Sequence, residues 1–76
     1  MNIEIISPEE KLFEGEAVSV KLPGAKGQFQ ILNGHAPIIS SLEEGNVIVQ
    51  TSKGEENFKV SGGVVEVLND KITVLV

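Results

Sequence analysis

The sequence predicts an all-β domain, a β-sandwich or flattened barrel. Three observations support this: apolar residues recur with period two, turn residues interrupt them every few positions, and β-branched residues crowd the C-terminal end. Turns spaced this closely leave no room for a helix of ordinary length.

In chain order, the first alternation is Ile3/Ile5, ended by Ser7-Pro8-Glu9, with a further turn signal at Glu14-Gly15. Val18/Val20/Leu22 follows and runs into Pro23-Gly24-Ala25-Lys26-Gly27, which has the residues a reversal needs. Phe29/Ile31 leads to Asn33-Gly34, a turn able to take positive φ, and an Ala36-Pro37 step stiffens the exit before another apolar run begins at Ile38. Glu44-Gly45-Asn46 precedes Val47/Val49, Lys53-Gly54 precedes Phe58/Val60, and Gly62-Gly63 precedes Val65/Val67. The last thirteen residues have the length for a helix, but Val64, Val65, Val67, Ile72, Thr73, Val74 and Val76 are β-branched. Asn69-Asp70 suits a two-residue hairpin turn, so a hairpin closing on Ile72/Val74/Val76 is expected.

Seventy-six residues make one domain, and a domain of this size buries only about 60% of its unfolded surface, so partners are expected to add stability. No cysteine is present, which removes disulfides and thiolate metal sites, and a single histidine gives no imidazole cluster for zinc. Six lysines, no arginine and eleven acids give a net charge of -5, which argues against nucleic acid and against adsorption to an anionic membrane. No apolar run approaches the roughly 20 residues that span a bilayer, and Met1-Asn2-Ile3-Glu4 lacks the regions of a signal peptide. A soluble chain without direct membrane insertion is expected.

Each candidate for chemistry has a plainer explanation. His35 invites a general acid or base reading, yet nothing in the sequence sets Ser40 or Ser41 beside it as a triad requires; a ring packed on Pro37 and hydrogen-bonded to local backbone explains it better. Glu43-Glu44 and Glu55-Glu56 are adjacent pairs whose members point to opposite faces of a strand, so neither makes a carboxylate dyad. The glycine spacing matches neither a phosphate loop nor a dinucleotide fingerprint, which leaves no support for a nucleotide, cofactor or other small-molecule substrate. Phe29 and Phe58 fall on buried phases and read as core rather than as a stacking platform. Lys71, after Asn69-Asp70 at a hairpin tip, is similar in placement to the modified lysine of biotinyl and lipoyl carrier domains, and this swinging-arm reading is the alternative.

The block Gly27-Gln28-Phe29-Gln30-Ile31-Leu32-Asn33-Gly34-His35-Ala36-Pro37-Ile38 resembles the hallmark of the epsilon subunit of F-type ATP synthases. In that family a glycine-acid-aromatic stretch leads into Pro-Gly-His-Ala-Pro. Four further blocks match in order: Ile6-Ser7-Pro8-Glu9 with Leu12-Phe13-Glu14-Gly15; Val18 to Gly24; Phe58 to Val67; and Ile72 to Leu75. The resemblance implies a ten-stranded sandwich of two five-stranded sheets. It also implies a non-catalytic rotor part that grips gamma and rests on the c-ring, within an alpha/beta/gamma/delta/epsilon complex at the cytoplasmic side of a bacterial inner membrane. It places Gln28, Gln30, Ile31, Leu32 and Asn33 toward the c-ring, and His35, Ile38 and Ser40 toward gamma. Gln28 stands where many members have an acid, Gln30 where many have glycine, and Asn33 where proline is usual. Typical members continue into a two-helix C-terminal domain associated with inhibition of hydrolysis; a short form, one domain over 1–76 without that extension, is expected.

Overall fold

A computed structural model describes all 76 residues, Met1–Val76. Nine strands form: β1 (Asn2–Ile6), β2 (Lys11–Glu16), β3 (Ser19–Gly24), β4 (Gly27–Leu32), β5 (Ile38–Leu42), β6 (Gly45–Thr51), β7 (Gly54–Val60), β8 (Gly63–Leu68) and β9 (Lys71–Leu75). Their ladders run β2-β1-β9-β8-β5 and β4-β3-β6-β7, joined where Gly24 of β3 pairs with Leu42 of β5. The sandwich therefore has five strands against four rather than five against five. After β4 the chain turns at Leu32–His35 and enters the larger sheet as β5, which pairs with β8, so the smaller sheet gains no fifth strand.

Alternation explains which side chains meet between the sheets. Ile3, Ile5, Val65, Val67, Ile72 and Val74 come from the larger sheet, and Val20, Leu22, Ile31, Val47 and Val49 from the smaller; all are buried in one aliphatic core. At one margin Phe13 of β2 and Phe58 of β7 close the gap between sheets with ring centroids 5.6 Å apart, tilted by 55°. Phe29 packs on the same core, as its phase predicted.

Two local expectations are corrected. Glu14-Gly15 is not a turn but lies inside β2, opposite Glu4 and Ile3, on a strand whose pairing shifts between Ile5 and Ile6. That irregularity, with Leu12 as the extra residue, hides the alternation. Val18 does not continue the buried phase of Val20 and Leu22: it stands at a bend, 59% exposed, while Ala17 takes the buried place. The Ser7 turn is closed as expected, its N–H donating to the Glu10 carbonyl at 2.8 Å and its hydroxyl accepting from the Glu10 N–H at 3.1 Å. Asn69 and Asp70 take φ of 50° and 66°, the paired positive values of a type I′ hairpin turn.

Gly63 opens β8 at φ 144°, and a Cβ there would overlap the Leu75 carbonyl oxygen. A Gly63→Ala substitution is expected to destabilise by about 2–4 kcal/mol, from overlap and backbone strain together. Gly27→Ala, also at positive φ but with open space around the Cβ, should cost only the strain. Urea unfolding of both variants checks this; equal losses would show that the close approach at Leu75 is unimportant.

Candidate functional site

The tip after β4 is built by backbone chemistry. The His35 N–H donates to the Leu32 carbonyl at 3.2 Å, closing a four-residue turn with Gly34 in its third position at φ 83°. A turn of type II form needs positive φ there, which glycine takes without strain. His35 is exposed, and its Nδ1 bonds the Ala36 carbonyl at 2.7 Å, the local backbone role expected of it. Hydrogen bonding selects the Asn33 amide orientation in which its nitrogen donates to both Asp70 carboxylate oxygens, at 2.7 and 3.2 Å. The tip is thus tied to the β8–β9 turn at the same end of the sandwich.

The residues the resemblance assigned to the c-ring divide by phase. Gln28, Gln30 and Leu32 occupy the exposed phase of β4, and Asn33 is exposed on the turn, so these are brought together on one edge strand. Ile31 has no exposed surface, and its part is to anchor the strand from beneath. Of the residues assigned to gamma, only His35 is fully presented. Ile38 packs against the core, and Ser40 shares its inward phase, opposite buried Val65. The outward neighbour on β5 is Ile39, which is 74% exposed.

Ile39 belongs to a surface that sequence reasoning missed. On the outer face of the larger sheet Ile39, Val64, Leu68 and Leu75 are all exposed, with Val64 directly opposite Leu75. Beside them a groove of about 360 Å³ is lined by Pro37, Ile38, Ile39, Glu66, Val67 and Leu68. A signal for this face existed: β5, β8 and β9 carry apolar residues on both phases, as strands covered on both sides do. Several large apolar side chains exposed on one face of a small domain make that face a candidate contact surface.

The far side of the same face is charged. Glu4 accepts from Lys11 at 3.0 Å and lies 3.6 Å from Lys71, while Lys11 also donates to Glu14 at 2.8 Å. The Lys11 hydrogen bond, helped by the charges of Lys11 and Lys71 and opposed by partial desolvation, holds the Glu4 carboxyl below its ordinary value. Lys11 is pushed up, by Glu14 first and Glu4 second. Lys71 is thereby an element of this ladder, paired with Asn2 and Leu68, rather than the free tip of an arm. No three His, Cys, Asp or Glu side chains gather as metal ligands would.

Fold and site together define a small sandwich that offers an apolar sheet face and a rigid turn at one end. The chain belongs to the family of the ATP synthase delta/epsilon chain β-sandwich domain, whose model matches residues 1–76. It is 46% identical to an ATP synthase epsilon chain of Bordetella avium over 76 residues, 99% of this chain and 54% of that one. It is 40% identical to an ATP synthase epsilon chain of Chlorobium limicola over 74 residues, covering 96% of this chain and 84% of the relative. The chain thus spans about half the length of the Bordetella relative. Its fold matches a chain in the Euglena gracilis mitochondrial ATP synthase OSCP/F1/c-ring structure with a TM-score of 0.88 at 18% identity, over 96% of this chain and 48% of that one.

Because Glu4 titrates below its ordinary 4.5, the stability it contributes is present above that pH and is lost as the pH falls through the lower folded value. Melting temperatures over an acid series should fall more steeply for the natural chain than for Glu4→Gln. Parallel curves would show that the Lys11–Glu4–Lys71 ladder carries no pH-dependent stability.

Proposed function

We propose that this sandwich is a non-catalytic rotor element of a proton-translocating F-type ATP synthase, joining gamma to the c-ring and working by shape and adhesion. The single observation that carries the reading is the exposed apolar face of the larger sheet, on a chain that belongs to the delta/epsilon family. Such a face is costly in a free domain and useful in one that is always covered. A specific interface takes about 800 Å² from each partner, roughly a sixth of the 4606 Å² this chain exposes, so separate gamma and c-ring contacts fit on it.

In this reading gamma covers Ile39, Leu68 and their neighbours, with His35 at the margin. The c-ring side falls to Gln28, Gln30 and Asn33, neutral side chains that hydrogen-bond rather than form ion pairs, with exposed Leu32 adding an apolar contact. Ile31, Ile38 and Ser40 support these contacts from within the sandwich. The site of action is peripheral, at the cytoplasmic side of a bacterial inner membrane; no helix of the structure is long and apolar enough to cross a bilayer. A swinging-arm function for Lys71 is not carried forward, since its ammonium is engaged beside Glu4 and the family is a different one.

Affinity purification from the source cell tests the reading: gamma and the alpha/beta catalytic subunits should co-purify, and their absence would overturn it. Calorimetry of the domain with ATP should show no saturable binding at micromolar concentration.

The tip makes a sharper prediction. Gly34→Val forces a β-branched residue to φ 83°, at a cost of about 1–3 kcal/mol to the turn, though a Cβ there meets no neighbour. His35→Asn keeps a polar, turn-compatible side chain. Rotor assembly and proton-coupled synthesis should suffer more from Gly34→Val. Lost coupling in His35→Asn, with a folded Gly34→Val still coupled, would assign the work to the imidazole and refute a tip that acts through its shape.

A further inference from the structure

The two acids at the middle of the larger sheet's outer face are treated differently by the fold. Glu4 is neutralised within the chain by Lys11 and Lys71. Glu66, exposed on β8, has no such partner: the chain's ion pairs are confined to Glu4, Glu14 and Glu16. Its cross-strand neighbours are Ile39 and Thr73, and Val64 and Leu68 flank it along its own strand on the same face. It also lines the 360 Å³ groove, whose other walls are mostly apolar.

In water a lone carboxylate at this place is harmless. Once a partner covers Ile39 and Leu68, the same carboxylate loses its hydration, and a desolvated charge without a counter-ion opposes binding strongly. The covering surface must then either avoid this spot or bring a cation to it. The groove favours the second: Pro37, Ile39 and Leu68 suit the aliphatic stem of a long basic side chain, and Glu66 stands where its head would arrive.

We infer that the groove between Pro37, Ile39 and Leu68 receives a lysine or arginine side chain of gamma, with the cation paired to Glu66. This rests on the proposed rotor reading, in which gamma covers the face. The apolar residues then supply adhesion, while Glu66 sets which partner, and which register of that partner, is accepted.

The test is the affinity of the full 76-residue chain for a complex of the alpha, beta and gamma subunits of the same enzyme, measured at low and high salt. Glu66→Gln and Glu66→Lys are compared with Glu55→Gln, which changes the charge equally on the outer face of the other sheet. Since Glu66 is exposed, unchanged melting temperatures should certify the folds. Glu66→Gln is expected to weaken binding by about tenfold or more and to flatten its salt dependence, Glu66→Lys to abolish it, and Glu55→Gln to leave it within about twofold. Equal affinities for Glu66→Gln and Glu55→Gln would overturn the ion pair while leaving the rotor reading intact. If the natural chain does not bind the complex at all, the rotor reading fails and the gamma assignment with it. Amide NMR shifts with N-acetyl-arginine amide then decide the groove's chemistry. Saturating shifts at Ile39, Glu66 and Leu68 that vanish in Glu66→Gln uphold a receptor for a basic side chain, and their absence overturns it.

Discussion

Everything else in this structure depends on the register of its strands against a single aliphatic core. Ile3, Ile5, Val65, Val67, Ile72 and Val74 from one sheet meet Val20, Leu22, Ile31, Val47 and Val49 from the other. A slip of one residue in any strand would turn that set outward, so the register is strongly fixed. Once it is fixed, the outer face follows without further choice. Residues between the core positions of β8 must point away, and they are Val64, Glu66 and Leu68; on β5 the outward residue beside them is Ile39. The exposed apolar face is thus the other side of the core, and its rigidity is borrowed from the packing beneath it.

The same constraint explains how a presentation turn can be rigid on a domain of marginal size. Ile31 anchors β4 from inside, Gly34 allows the reversal, and Asn33 fastens the turn to Asp70 on the neighbouring hairpin. The tip and the apolar face meet at Pro37, the last residue before β5 and a wall of the groove. Under the proposed rotor role, two contact regions on one stiff body suit torque transfer between two partners, with Glu66 the one charged group assigned a part on the apolar face.

Most of the fold was legible in the sequence because alternation reports burial directly. Ile3/Ile5, Val47/Val49, Val65/Val67 and Ile72/Val74 were all placed on their correct phase, and Asn69-Asp70 forms the hairpin turn its residues suggested. The second strand was not legible, because an extra residue at Leu12 breaks its period and Glu14-Gly15 imitates a turn. The tenth strand implied by family resemblance is absent: after β4 the chain turns and enters the larger sheet as β5, which leaves β4 at the edge of a four-stranded sheet. The site was legible at the tip, where turn chemistry is local, and poorly so on the face. Val64, Leu68 and Ile39 look like core in sequence, because hydrophobicity alone does not distinguish burial inside a domain from burial under a partner. Ile38 and Ser40, which the family resemblance placed toward gamma, lie on the inward phase of β5.

The central claim is that the outer face of the five-stranded sheet is a surface built to be covered. Hydroxyl-radical footprinting of the chain, free and mixed with the proposed alpha, beta and gamma complex, tests it at the side chains themselves. Ile39 and Leu68 should react readily in the free chain and become protected in the assembly, while Ile48, on the opposite outer face, changes little. Unchanged reactivity of Ile39 and Leu68 on assembly would contradict the account.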